Sequence, residues 1–205
     1  MLLDLREHEV SQSRQLLVQR NDFFLIKDDI SKGGHDSSSS GEVPSASALR
    51  QVEINTISAS FPFLITQLTR LHQHIYEQSI SEKIIPNNPL KPVVDSFAKA
   101  IKDYGSTDAI MLLVSQPAES NRFDQLGLEQ LLWDEYKIQT ARKTLTEIYE
   151  NGSLSEGHLI LAGRKVAITY YRAGYTPEDF STSGAIKGRQ LIEASSTIQV
   201  PDLAM

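Results

Sequence analysis

Residues 108–116, DAIMLLVSQ, constrain the fold of this chain more than any other stretch. The run is apolar without alternation, as in a strand covered on both faces. NRFDQLGLEQLLWDEY (121–136) follows at helical spacing, with Leu128, Leu131, Leu132 and Tyr136 directed inward, and KIQTAR (137–142) reads as a second strand. Strand, helix and strand in that order make a βαβ unit, whose strands are parallel and whose crossover is right-handed. The predicted class is α/β, an open, mostly parallel sheet with flanking helices.

Around this unit, residues 2–18 are predicted as a helix and 22–27 (DFFLIK) as a strand. The serine-rich stretch 28–47 is predicted as the long tip of a hairpin joining that strand to 49–56. Its Lys32-Gly33-Gly34 lacks the spacing and the following helix of a phosphate loop. A helix over 61–77 would present Leu64, Leu68, Leu71 and Ile75 on one face, with His72 and His74 solvated. A second helix starts near Asn88-Pro89, carries Val93, Val94, Phe97, Ile101 and Tyr104 on its stripe, and stops at Gly105. TLTEIYENG is a short helix, HLILA and KVAITYYR form a hairpin, and 183–195 is a last helix.

Composition removes whole classes of function. With 205 residues and 40% hydrophobic content the chain is globular. A net charge of −6 disfavours a nucleic-acid binder that works by charge. There is no cysteine, hence no disulfide, thiolate metal site or cysteine nucleophile, which fits a reducing compartment. The longest apolar run, Ala109–Val114, is too short to span a bilayer, and MLLDLREHEVSQ carries acids that signal peptides lack. The expected location is cytoplasmic, with no membrane contact.

In an open parallel sheet, ligands bind beyond the carboxyl ends of the strands. Glu119, Asn121, Asp124 and Gln125 follow the strand 108–116 and open the next helix. They suit either ordinary helix capping, with Asn121 at the N-cap, or a zwitterionic ligand whose ammonium meets Glu119. Arg172 ends a strand before Ala173-Gly174-Tyr175, and it could present its guanidinium to a carboxylate or lie on the surface. In QVEINTISASF (51–61), Glu53 and Asn55 share one face of a half-buried strand, with Ile57 next along it. Their Cα atoms are roughly 6.6 Å apart, so a carboxylate and an amide oxygen can reach one hard cation such as magnesium. A half-solvated strand face is the other use of such alternation.

Taken together, QVEINTISASF, IPNNPLKPVVDSFAKAIKDYG, AESNRFDQ and YYRAGYTPEDF resemble, in order, signatures of eukaryotic-type glutathione synthetase. RNDFF (20–24) and LIEASSTIQVPDLA fit the same family, and EINTISASF is highly specific to it. The resemblance implies an ATP-grasp ligase that joins γ-glutamylcysteine to glycine, usually as a homodimer. It implies Glu53 and Asn55 as magnesium ligands, with Glu53 also near the ATP phosphates. It implies dipeptide binding by Arg20, by Ile57, Ser58, Ala59 and Ser60, by Glu119, Ser120, Asn121 and Gln125, and by Arg172, Ala173, Gly174 and Tyr175. No catalytic side chain is assigned.

Two positions depart from the animal pattern. Ser120 stands where an arginine is usual and Ala173 where an aspartate is usual, which puts those side-chain contacts in doubt. The family extends beyond the matched region at both ends. Residues 1–88 are then expected to be part of the ATP-grasp body, including the metal strand and the hairpin loop 28–47. Residues 89–205 are expected to be the substrate-binding domain. The chain alone is expected to hold the dipeptide and two metal ligands without most of the ATP site, and so to be inactive by itself. The alternative is a non-catalytic module that binds γ-glutamylcysteine or glutathione, or that dimerises.

Overall fold

A computed structural model describes residues 12–25, 49–76 and 84–203. The loop 28–47, the first eleven residues and the last two lie outside them. The strands are β1 (Arg20–Leu25), β2 (Leu49–Asn55), β3 (Ile110–Val114), β4 (Thr140–Lys143), β5 (Gly152–Ser155), β6 (His158–Leu161), β7 (Arg164–Tyr171) and β8 (Ile198–Val200). The helices are α1 (Pro62–Tyr76), α2 (Leu90–Tyr104), α3 (Arg122–Tyr136), α4 (Leu145–Asn151) and α5 (Ser183–Glu193).

The βαβ unit is present: β3 and β4 pair in parallel, with Met111 opposite Thr140. Every residue of β3 is buried. Its side chains alternate between two cores, as a strand covered on both faces requires. Met111 and Leu113 join Val94 and Phe97 of α2 and Leu128 and Leu132 of α3. Ile110, Leu112 and Val114 join Leu145 and Ile148 of α4 and Ile192 of α5. The α4–α5 contact is close enough that a Cβ on Gly188 would lie 1.9 Å from the Leu145 carbonyl oxygen. Helix α2 ends at Gly105, whose φ of 86° lets the chain turn out of the helix.

The sheet is mixed rather than mostly parallel. Its order is β4-β3-β7-β6-β5, with β8 also beside β7. β3, β4, β7 and β8 pair in parallel, while β5 and β6 run antiparallel. Two of these strands, β5 and β8, carry no sequence signal strong enough to be predicted. They are short, of 4 and 3 residues, and depend on neighbours already in place.

Several local expectations fail for identifiable reasons. Residues 12–19 are not helical. Gln12 and Gln15 both donate to Asp202 at 2.7 Å, and Gln12 accepts the Gln199 N–H at 2.8 Å, so this segment is held against the end of β8. β1 and β2 do form an antiparallel hairpin ladder, but as a separate two-stranded ribbon. It is not half-buried: Phe24, Val52 and Ile54 are at least half exposed. On α1, the stripe Leu68, Leu71 and Ile75 faces out, while Pro62 and Thr66 are buried and Phe63 lies over Gly127 of α3. His72 and His74 are exposed, as expected. Tyr136 is 40% exposed because its hydroxyl bonds Asp95 at 2.5 Å instead of entering the core. The last helix packs on α4 and buries Ala185, Gly188, Arg189 and Ile192.

Candidate functional site

The parallel strands β3 and β7 end side by side, and the Arg172 N–H donates to the Val114 carbonyl at 2.8 Å. Residues 57–61 turn across this end. The turn is tight, with Ser58 at φ 51° and Phe61 at φ 75°, both in the left-handed region. Three side chains hold it. Arg172 Nη1 donates to the Ser58 carbonyl at 3.0 Å and the Ala59 carbonyl at 2.8 Å. The Tyr170 hydroxyl donates to the same Ala59 oxygen. Asp124 accepts the backbone N–H groups of Phe61, Phe63 and Leu64 at 2.9, 3.0 and 3.1 Å, which caps α1. Burial pushes the Tyr170 phenol up, so it stays a protonated donor.

Arg172 is therefore neither a surface arginine nor a free clamp. It is 5% exposed, and one nitrogen is engaged by the turn. Its Nε is buried without a partner among the described residues. Gln125 is in a similar position. It is 2% exposed, and both its amide nitrogen and its amide oxygen lack partners. Buried polar groups are almost always paired in native proteins, and an unpaired one costs about 1–3 kcal/mol. Here donors and an acceptor stand unpaired on two elements that flank one turn. They match a ligand that carries both a carboxylate and an amine or amide.

At the start of α3, the capping alternative for Asn121 is not realised. Asn121 occupies the N-cap position but its side chain makes no capping bond. Glu119 turns back instead and accepts the Asn121 N–H at 2.7 Å. Ser120 is exposed. On the other strand, Ala173 is buried in the core beside α4 and α5, so its side chain is packing. Gly174 has φ 93°, and its N–H, with those of Tyr175 and Thr176, converges on Asp179 at 2.9, 3.1 and 3.2 Å. Burial alone would raise the Asp179 carboxyl, but these N–H groups and Gln116 outweigh it and hold it low. Tyr175 itself is 48% exposed at the rim. Ser60 is partly buried in the turn, and Ile57 packs against the core beside α4 and α5.

The ribbon gathers the remaining candidates. Across the ladder Arg20 lies opposite Asn55 and Asp22 opposite Glu53. Arg20 donates twice to Asp22 at 2.9 Å and lies 3.5 Å from Glu53. Asn55 Nδ2 donates to Glu53 at 2.9 Å and to Asp22 at 3.4 Å. The donor set on this face is carboxylate and amide oxygen, which fits a hard divalent cation completed by water or phosphate. The Arg20 hydrogen bond holds the Asp22 carboxyl below the usual range, so it stays an anion.

A cleft of about 730 Å³ lies on the α4 and α5 side of the same sheet end, between Gln116, Thr144, Ala173 and Thr182. It adjoins the turn site but contains none of Gln125, Arg172 or Ser58. Of the four buried atoms without a partner among the described residues, three belong to Gln125 and Arg172, and the fourth, Arg142 Nη1, lies on β4.

Sequence reasoning passed over Asp22, Tyr170 and Asp179, and it took Asp124 only as a member of a polar cluster. Asp22 had a readable signal, since it alternates with Arg20 on one strand face. The clamps by Asp124 and Tyr170 had none, because their partners lie 63 and 111 residues away.

Residues 109–205 match the model of the family described as eukaryotic glutathione synthase. Curated glutathione synthetases are similar over a longer stretch. That of Homo sapiens is 38% identical over 162 residues, 77% of this chain and 34% of the human protein. The chloroplastic one of Arabidopsis thaliana is 38% identical over 164 residues, 77% of this chain and 30% of the plant protein. The chain thus spans about a third of the length of the curated glutathione synthetases it matches. A solved apo structure of a glutathione synthetase-like effector from Globodera pallida shares the fold. Its TM-score is 0.75 at 18% identity, covering 98% of this chain and 44% of the other. No helix among the described residues is long and apolar enough to cross a membrane.

Proposed function

We propose that these residues form the γ-glutamylcysteine-binding part of an ATP-dependent ligase that makes glutathione. Gln125, Arg172 and the 57–60 turn hold the dipeptide, helped by Glu119, Asn121, Gly174 and Tyr175. Arg20 meets a ligand carboxylate. Glu53 and Asn55 hold Mg²⁺ at the ribbon edge, with Glu53 nearest the ATP phosphates. Ser120 and Ala173 contribute backbone rather than side chains. In this reading residues 1–88 belong to an ATP-grasp body and 89–205 to the substrate domain. The ligase is cytoplasmic and dimeric, and it joins the dipeptide to glycine.

The observation that carries this reading is that the unpaired, buried amide of Gln125 and the unpaired Nε of Arg172 belong to the two elements that hold the 57–61 turn. The family match gives those atoms a ligand of the right chemistry, since γ-glutamylcysteine brings two carboxylates and an ammonium. Calorimetric titration of γ-glutamylcysteine into the 205-residue chain tests it. Saturable binding that exceeds binding of glycine or free cysteine is expected, and its absence would sink the dipeptide assignment. Addition of ATP, Mg²⁺ and glycine to the same sample then asks whether the bound dipeptide is converted.

A further inference from the structure

We propose that Asp22 is a positioning residue of the metal edge, acting through Arg20 and Asn55. The proposal rests on the reading that this edge holds a divalent cation. Asp22 lies opposite Glu53, just before the ladder shifts register between Asp22 and Phe23. Such a shift bends a strand and re-aims the adjoining side chains.

Asp22 does two things there. It takes Arg20 Nε and Nη2 on its two oxygens at 2.9 Å each, a two-point contact that fixes the guanidinium plane. Nη1 is then the end of the fork left for a ligand. Arg20 is already within 3.5 Å of Glu53. Without Asp22 the guanidinium would move onto Glu53 and neutralise the carboxylate that a cation needs. Asp22 also accepts one Asn55 amide hydrogen while Glu53 accepts the other. With both hydrogens held by carboxylates, Oδ1 is the Asn55 side-chain atom left to meet a hard cation. Asp22, Glu53 and Arg20 together carry a net charge of −1, which becomes zero if Asp22 is neutralised.

Mn²⁺ serves as the probe, read by paramagnetic broadening of the backbone amides of residues 53–55. The Arg20 Nε–Hε signal serves as a readout independent of metal. Broadening is expected in the wild-type chain and lost in Glu53→Gln. In Asp22→Asn, Mn²⁺ affinity is expected to fall about tenfold, the usual effect of losing an outer-shell partner. The Arg20 Nε–Hε signal should then exchange freely with solvent even without metal. Adding Arg20→Gln to Asp22→Asn should restore part of the affinity, because no guanidinium is left to occupy Glu53, while the Asn55 amide still lacks its second partner. Absence of wild-type broadening, or its persistence in Glu53→Gln, overturns the metal reading itself. Broadening that responds to Glu53→Gln but not to Asp22→Asn overturns the positioning role alone. Failure of the double variant to recover any affinity would overturn the action through Arg20.

Discussion

Asp124 and Phe61 are joined at 2.9 Å, carboxylate to backbone N–H, so the residue next to Gln125 on α3 also fixes the end of the 57–61 turn. One helix therefore sets both the wall and the floor of the site. Asp124→Ala would leave the N–H groups of Phe61, Phe63 and Leu64 unpaired under partial burial. The expected loss is about 2–4 kcal/mol, from an unsatisfied-group cost of about 1–3 kcal/mol each, reduced where water reaches. Urea unfolding measures it. A loss below about 0.5 kcal/mol would mean the turn holds its shape without this cap.

Gln125→Leu separates stability from binding. The substitution keeps the volume near that of glutamine and removes two buried atoms that have no partners. The free chain is expected to gain about 1–2 kcal/mol, since the unpaired-group cost disappears. Affinity for γ-glutamylcysteine should fall about tenfold or more. Equal losses in stability and in binding would show that Gln125 is held by groups of the protein.

Arg172→Lys is expected to weaken dipeptide binding by about tenfold, because a point charge cannot replace a planar fork. A lysine can reach one of the Ser58 and Ala59 carbonyls but cannot also offer the second nitrogen. Calorimetry with unchanged affinity would place Arg172 outside the ligand contacts and leave it as a brace for the turn.

Much of the fold could be read ahead of the structure, and the reason differs between elements. β3 was legible because full burial erases alternation, and α2 because a wide stripe faces one core. α1 misled because its apolar stripe, Leu68, Leu71 and Ile75, is exposed in these residues while Thr66 is buried. Periodicity reports that a face is apolar but not whether anything covers it. At the site, Gln125 and Arg172 could be named from their place after strand ends, but only resemblance chose a ligand over capping or a surface position. What distinguishes them is the lack of partners, a property of three-dimensional neighbours that no spacing encodes.

Gly188→Ala is expected to be among the most costly single changes in the chain. A methyl group there would sit 1.9 Å from the Leu145 carbonyl oxygen, and backbone cannot move aside as a side chain can. Overpacking of this kind costs about 1–3 kcal/mol or more. Thermal unfolding tests it, and a melting point unchanged within a degree would mean that α5 can slide along α4 freely.

The rim loop should respond to acid. Asp179 has its carboxyl held below the ordinary 3.8 by the Gly174, Tyr175 and Thr176 N–H groups, against the opposing effect of burial. A depressed carboxyl favours the folded loop above its unfolded value, and that contribution is lost as pH falls through the lower folded value. The amide signals of these three residues should therefore hold steady down to about pH 4 and then shift together in acid. In Asp179→Asn the shared transition should vanish. If it persists there, another acid controls the loop.

The carbonyls of Ser58 and Ala59 are gripped by a side chain that lies 114 and 113 residues later in the chain. On a ribosome adding about 5–20 residues per second, the turn is made roughly 6–23 seconds before its arginine. The site thus cannot be finished before β7 is made. β3, α3 and β4 can dock on one another first, while the strained turn waits in solvent for β7 to arrive and close over it.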